Sequence, residues 1–513
     1  MNEPLTTDAS YHGVSIPDKD RGTLAGYNSL YNNYQLPIPP PFPLSIISPK
    51  NRSHQTADYK VYPIRYLPKN DLAAQLTFAI RYEGINLLVL KKLFEAVDAA
   101  EIMAIINQNP SGQYARKIWY LYEWLMDDQL KVPDAEKKIN YTLLANHKIQ
   151  YVLKTGDKSE RHRITNNLLG TREFCPHVYK TTRLAEYENL NLELAENQFP
   201  TRISKALLQR ASSYLLLKDS QSSYAIEGEH PKPSRLNRWG KAVAQAGQQT
   251  LTREEIVRLQ QLVLPSKTKV KQGYRDGEGF IGDFDRETAN PIPEHLSARW
   301  KDLEGLMSGL LSTSKKLKTS EVDTIVAAAI ISFGFVFIHP LFDGNGRIHR
   351  YLIHHVLAMK NFAPQGVIFP VSASILDNLG DYKKALEKYS QPLLDFIDWE
   401  TTPQKKIKIT NETVDYYRYF DATHLAQYLY ACVTDTITHK IPEEISLLQQ
   451  YDAFKDRVEE ELGLADNDTK LLWTLLLQNE GTISKKKRTK FFSSLSDEEV
   501  DRLETIYSET GEE

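Results

Sequence analysis

Residues 339–350 read HPLFDGNGRIHR, which places an imidazole, a carboxylate, two glycines and two guanidiniums within twelve positions. Two ordinary explanations compete with a chemical one. Asp-Gly and Asn-Gly pairs favour hairpin turns, but a hairpin needs alternating apolar strands on both sides. The following residues Ile348, Leu352, His355, Val356 and Met359 instead recur with a helical period. A calcium loop of the EF-hand kind needs acidic or amide ligands at its first, third and fifth positions and a closing Glu, and those ligands are absent.

What remains is helix, tight glycine loop, helix, and that arrangement suits an anion. Gly344 and Gly346 permit backbone conformations closed to other residues, so the amides around Asn345 can turn inward beside a helix N-terminus. Arg347 and Arg350 lie three apart and share a helix face, where two guanidiniums suit more than one phosphate. Asp343 can hold Mg²⁺, which typically takes one or two carboxylates and completes its shell with phosphates and water. His339, where the first helix ends, is a candidate general base.

The stretch resembles the signature of the Fic (Fido) family, H-x-F-x-(D/E)-G-N-G-R-x-x-R. It departs at Leu341, which stands where the family usually has Phe, although Phe342 follows. The resemblance implies a mainly α protein. Its helical Fic core would carry a small β-hairpin flap and transfer AMP from ATP to a Ser, Thr or Tyr hydroxyl of a target protein, releasing pyrophosphate. His339 would take the hydroxyl proton and Asp343 would hold Mg²⁺. Gly344, Asn345 and Gly346 would cradle the phosphates, and Arg347 and Arg350 would neutralise the β and γ groups.

A second stretch, SSYAIEGEH (222–230), resembles the family's inhibitory pattern (S/T)-x-x-x-E-(G/N), with Ser223, Glu227 and Gly228 in the matching places. That resemblance implies an N-terminal inhibitory helix whose Glu227 pairs with Arg350 and displaces the γ-phosphate. Breaking one side of a buried pair of this kind costs on the order of 3–5 kcal/mol. GFIGDF (279–284) resembles the flap that docks the target segment by strand addition, with Phe280, Ile281 and Gly282 in its path. The nearby G-x-G has no strand–helix unit around it and is not a nucleotide fingerprint. DYKKALEKY (381–389) resembles the segment lining the adenine pocket, through Tyr382.

These pieces need a scaffold. A chain of 513 residues exceeds one ordinary core, and the periodicities divide it into four regions. A Pro-rich arm occupies 1–60, with QLPIPPPFPL (35–44) extended or polyproline. A helical N-terminal domain follows over 61–200, the Fic core over 201–405, and a helical C-terminal domain, with a winged helix as its variant form, over 406–513. Thr252 is an expected N-cap, and Ser494 and Ser496 are both candidate N-caps of the last helix, of which Ser496 has Glu499 three residues on, as a capping box requires. Apolar content of 41% suffices for a sizeable core, and a formal charge of −3 gives no global case for nucleic acid or membrane. The most apolar run, 324–338, is shorter than the roughly 18 residues of a spanning helix. With only Cys175 and Cys432 and no secretory leader in view, a reducing cytoplasm is the simplest location.

The expected partners are ATP and a target protein, with self-modification and a homodimer left open. Two rival readings stand beside AMP transfer. One is a reverse or dual activity in which Glu227 positions water to remove AMP. The other is a DNA-binding regulator that uses the core as a nucleotide sensor and touches DNA through KKKRTK (485–490).

Overall fold

The computed structural model describes residues 9–190, 192, 205–265, 267–362 and 369–511, so the expected boundary at 200–201 lies outside the described residues. The protein is mainly helical, with five small sheets among the described residues. No helix there is long and apolar enough to cross a membrane.

The first region departs from the expected extended arm. Residues Leu44–Ser48 form a fully buried strand, parallel to Tyr59–Pro63, and the helix Tyr27–Tyr34 packs beside them. The run LSII supplies enough apolar surface to build a small core despite the preceding prolines. The Pro-rich segment does reach across the molecule, since Tyr416 Oη donates to the Pro37 carbonyl at 3.0 Å.

The apolar run at 87–106 is broken into two helices, Leu87–Ala96 and Ala99–Gln108. Asp98 accepts from the Ala100 amide at 2.8 Å and caps the second. After the helix Gln113–Met126 the chain is mostly irregular, with a three-stranded sheet from 142 to 166. That stretch reads as helical domain in the sequence but carries few periodic apolar positions.

The site is carried by the next set of elements. These are α1 (Lys205–Ala225), α2 (Pro233–Ala244), α3 (Arg253–Val263), the hairpin β1 (Phe280–Phe284) and β2 (Pro291–Leu296), α4 (Leu303–Lys318), α5 (Thr324–Ile338), α6 (Asn345–Met359), α7 (Val371–Asp377) and α8 (Leu379–Leu394). Asp323 caps α5 by accepting from the Val326 amide at 2.8 Å, and Thr252 caps α3 as expected. Every residue of α5 is buried. A helix apolar all round must sit at a centre, and α5 does, between α4, α6 and α9 (Thr423–Asp435).

Phe174, from the segment before α1, inserts its ring against α5 where Gly334 leaves room; a methyl there would overlap it. Its carbonyl accepts from Thr313 on α4 at 2.8 Å. One apolar core therefore runs from Tyr27 to Leu448, while Phe454 to Ile506 pack into a separate cluster. The two cysteines are free and buried.

The C-terminal region is helical, as expected, through α10 (Ile441–Leu462), Asp466–Gln478, Lys485–Phe491 and Asp497–Gly511. The Ser496–Glu499 capping box forms with both bonds, 2.7 and 3.2 Å. The winged-helix variant of that expectation is not met. No strand occurs among the described residues after 409, and the basic KKKRTK stretch is a short helix with no buried residue.

Phe174 is fully buried, so Phe174→Ala is expected to cost about 3–5 kcal/mol. Chemical denaturation would show it as a lower midpoint with an unchanged slope.

Candidate functional site

The loop between α5 and α6 is held by its own residues. His339 ends α5 in the left-handed conformation, φ 52°, and its amide donates back to Phe335. Leu341 takes the buried place where the family pattern has Phe, and Phe342 points out at 44% exposure. The Asn345 side chain closes the loop by accepting from the Leu341 amide at 3.0 Å and donating to the Leu341 carbonyl at 2.7 Å. Asn345 is thus a clamp on the loop, leaving backbone amides to face an anion. Gly344, at φ 93°, is the N-cap of α6, so the first turn of α6 opens toward the loop.

Two residues that sequence reasoning missed hold this loop from outside. Gln260 on α3 donates to the Asp343 carbonyl at 3.2 Å and accepts from the Gly273 amide at 2.8 Å, joining loop to flap base. Arg275 is almost wholly buried. It donates to the carbonyls of His339 (2.8 Å), Ile338 and Ala298, and its own amide donates to Pro340 at 2.9 Å. A guanidinium placed on the last carbonyls of α5 complements that helix terminus. Nothing in the sequence around Gln260 or Arg275 marks these roles, because the loop carbonyls they hold lie more than sixty residues further along the chain.

His339 is set up as a proton acceptor. Nδ1 lies 3.2 Å from the Val336 carbonyl, which can only accept, so Nδ1 carries the proton and Nε2 keeps its lone pair. Burial, then the neighbouring His295, then Arg275 push its pKa down to about 3. The imidazole is neutral at pH 7.

The arginines are not free. Arg350 is 1% exposed. Its Nε donates to Ser223 Oγ at 3.0 Å, and Nη2 donates to the Ser223 carbonyl at 2.6 Å and to Glu227 at 2.8 Å. Burial pushes the Glu227 carboxyl up, but the charge and hydrogen bond of Arg350 outweigh it, and the group sits below the usual carboxylate range. Arg347 donates to Asp343 at 2.8 Å and to Glu229. The carboxylate of Glu227 lies directly over Gly346, where a methyl group would overlap its Oε1. It occupies the mouth of the helix N-terminus, the place an anion would take.

The chain delivers these acids by ending a helix. Glu229 N–H donates to the Tyr224 carbonyl and Gly228 N–H to the Ala225 carbonyl, the paired bonds of a Schellman motif, with Gly228 left-handed at φ 70°. Glu227 is therefore a helix cap just beyond α1, and the reversal at Gly228 turns Glu229 back toward α6. Two carboxylates at a helix C-terminus oppose its dipole, so Arg350 and Arg347 are needed to hold them. Further up α1, Asp219 is fully buried; it pairs with His354 at 2.9 Å and accepts from the Ser372 amide at 2.8 Å. Asp219, Ser223 and Glu227 are spaced by four, and together they line α1 along α6.

The hairpin β1–β2 is antiparallel, with a register shift between Ile281 and Gly282. Its Tyr274 lead-in bridges to Leu341, which places it beside the loop. Ile281 faces outward at 41% exposure, while Phe280 packs partly on the core and edge-on to Phe284, ring centroids 5.3 Å apart. Tyr382 differs from expectation. It is buried on α8, its ring stacked on His349 and beside Tyr428, so no face is open to a purine in this arrangement. Arg350 lies near enough to influence its hydroxyl, which burial pushes up to about 12.

Gly228→Ala is expected to destabilise the fold by roughly 1 kcal/mol, because an L-residue is strained at φ 70° while open space surrounds the position. Thermal melting would register this as a drop of about 1 °C in a chain of this size; an unchanged melting temperature would mean that the cap is not held.

Residues 250–357 match the family model described as Fic/DOC family. The chain is 30% identical over 139 residues to protein adenylyltransferase fic-1 of Caenorhabditis elegans, covering 25% of this chain and 25% of that protein. It is 29% identical over 117 residues to protein adenylyltransferase Fic of Nematostella vectensis, covering 23% and 25%. The chain thus spans about a quarter of the length of the curated relatives it matches. A Fic family protein from Desulfovibrio desulfuricans G20 of known structure has 19% identity and a TM-score of 0.34, over 58% of this chain and 85% of that one. The signature loop and the helix that follows it lie inside the matched residues, so this chain carries a Fic domain over residues 250–357.

Proposed function

We propose that this protein transfers AMP from ATP to a hydroxyl group of a target protein, and that the arrangement described above is its inhibited state. The observation that carries the reading is the neutral His339, its Nε2 lone pair free, at the mouth of a glycine-lined helix N-terminus with two arginines behind it. The relatives named protein adenylyltransferase support the same chemistry.

The target hydroxyl oxygen forms a bond to the α-phosphorus while the bond from that phosphorus to the bridging oxygen breaks. Pyrophosphate leaves with that bonding pair, and the hydroxyl proton passes to His339 Nε2. Amides at the start of α6 and the guanidiniums of Arg347 and Arg350 face the charge on the leaving group, once they are released from their carboxylates. The flap, through Ile281 and its neighbours, offers an edge for the target segment.

A Mg²⁺ ion fits the loop. Asp343 is about half-exposed and offers one carboxylate. No cluster of three or more His, Cys, Asp or Glu among the described residues holds a metal by itself. A cation here would draw on Asp343, phosphates and water, the usual manner for Mg²⁺, and would supply charge neutralisation.

Inhibition follows from Glu227. Because it covers Gly346 and holds Arg350, phosphate oxygens and Glu227 compete for one place. Freeing Arg350 by a partner alone leaves a buried charge unmatched, at about 3 kcal/mol, the low end for such pairs because a third of the Glu227 side chain meets water. The reverse reading, removal of AMP, is favoured by the same group, since an ionised Glu227 beside the loop is able to orient water.

With α-labelled ATP and Mg²⁺, Glu227→Gly is expected to incorporate label at least roughly tenfold faster than wild type. Adding His339→Ala should abolish that incorporation. Label that persists without His339 would end its assignment as base. Absence of label in every variant that binds ATP, with loss of AMP from a pre-labelled protein in wild type only, would establish the reverse reaction instead.

The depressed pKa gives a second expectation. His339 is already uncharged above pH ~3, so the kcat/KM profile of Glu227→Gly should show no acid limb from this group between about pH 5 and 8. A His339 imidazole that titrates within that range when followed by NMR would contradict it.

A further inference from the structure

We propose that Glu229 is a second lock on the phosphate site, acting on Arg347 separately from the action of Glu227 on Arg350. The inference rests on the reading above, that these two arginines receive the phosphates of a nucleoside triphosphate.

Four observations converge on Glu229. Its carboxylate accepts from Arg347 Nη1, while Arg347 Nη2 is spent on Asp343 at 2.8 Å. Both terminal nitrogens of Arg347 are therefore committed to carboxylates, and its side chain is only 3% exposed. The second oxygen of Glu229 is held by Arg235 of α2 at 2.7 Å. Arg235 is itself fixed, donating to the Val263 carbonyl at 2.8 Å. Finally, the guanidiniums of Arg235 and Arg347 both lie over the ring of Tyr224, 4.8 and 5.4 Å from its centroid. Tyr224 is anchored in turn, its hydroxyl donating to the Val263 carbonyl at 3.1 Å.

None of these contacts passes through the side chain of Glu227. Removing the Glu227 carboxylate frees Arg350 and uncovers Gly346, but it leaves Glu229 on Arg347, tethered from α2 and positioned by the turn at Gly228. A triphosphate entering such a variant still has to displace a carboxylate from the first arginine. A monophosphate, whose single phosphate does not extend to both arginines, does not. Glu229 thereby sets a charge threshold on the ligand: a phosphate chain long and negative enough to outcompete it is admitted fully, and a shorter one gains nothing from its removal.

The test compares Glu227→Gly with Glu227→Gly/Glu229→Gln by calorimetric titration in Mg²⁺. The probes are an ATP analogue with a methylene between the α- and β-phosphorus, and AMP. The double variant is expected to bind the triphosphate analogue roughly threefold to tenfold more tightly, within the range of a partly exposed charge pair, and AMP with less than about a twofold change. Glu227→Gly/Glu229→Ala should reproduce the gain, since loss of the carboxylate rather than a new amide contact is responsible. It also serves if the glutamine variant folds poorly. Equal triphosphate affinity in the single and double variants would overturn the proposal. So would equal gains for triphosphate and AMP, which would indicate general loosening of the site. The readout is binding, so a preserved gain without AMP transfer in Glu227→Gly would sink the transfer reading and leave the lock standing.

Discussion

Arg350 is a guanidinium taken almost entirely out of water, and its demand for partners governs the architecture around it. A buried charge without partners is far costlier than a buried pair. Ser223 and Glu227 answer that demand with a hydroxyl, a carbonyl and a carboxylate, all from one helix end. A phosphate would answer it equally well. Under the function proposed above, the same electrostatic need is met either from within the chain or from a ligand.

The rest of the fold keeps that contest local. The uniformly apolar helix ending at His339 is a rigid post, surrounded on all sides, and the signature helix packs along it. The loop between them is pinned by Asn345 from inside, and by Gln260 and Arg275 from outside. Against that pinned loop and histidine, the end of the helix that carries Ser223 and Glu227 supplies the groups that meet Arg350. That helix is joined to the signature helix through Asp219 and His354, and to the C-terminal region through Arg210 and Asp452 at 2.8 Å.

Local pattern carried much of this into view. The helix–loop–helix around 339–350 was legible because apolar periodicity and glycine spacing are short-range signals. The Thr252 and Ser496 caps were legible for the same reason. The arm expected over residues 1–60 was not, because prolines spoke louder than the short LSII strand that pairs across a loop with Tyr59–Pro63. Tyr382 lies in a segment that resembles a pocket lining, but its packing against His349 puts it in the core. Glu229 carries no local signal that sets it apart from other acids after a helix stop. Only the left-handed turn at Gly228, together with Arg235 arriving from the next helix, gives it a partner.

The sequence by itself determined the chemistry that is available: one imidazole at a helix end, a glycine-rich turn, two arginines on one face, and an acidic segment about a hundred residues upstream. Those are properties of neighbouring residues, fixed by backbone geometry over a few positions. Tertiary structure alone decided which upstream acid meets which arginine and which distant side chains brace the loop. Each of those depends on contacts between residues far apart in the chain. Their energies come from desolvation and charge pairing at distances of about 3 Å, and no periodicity encodes such distances.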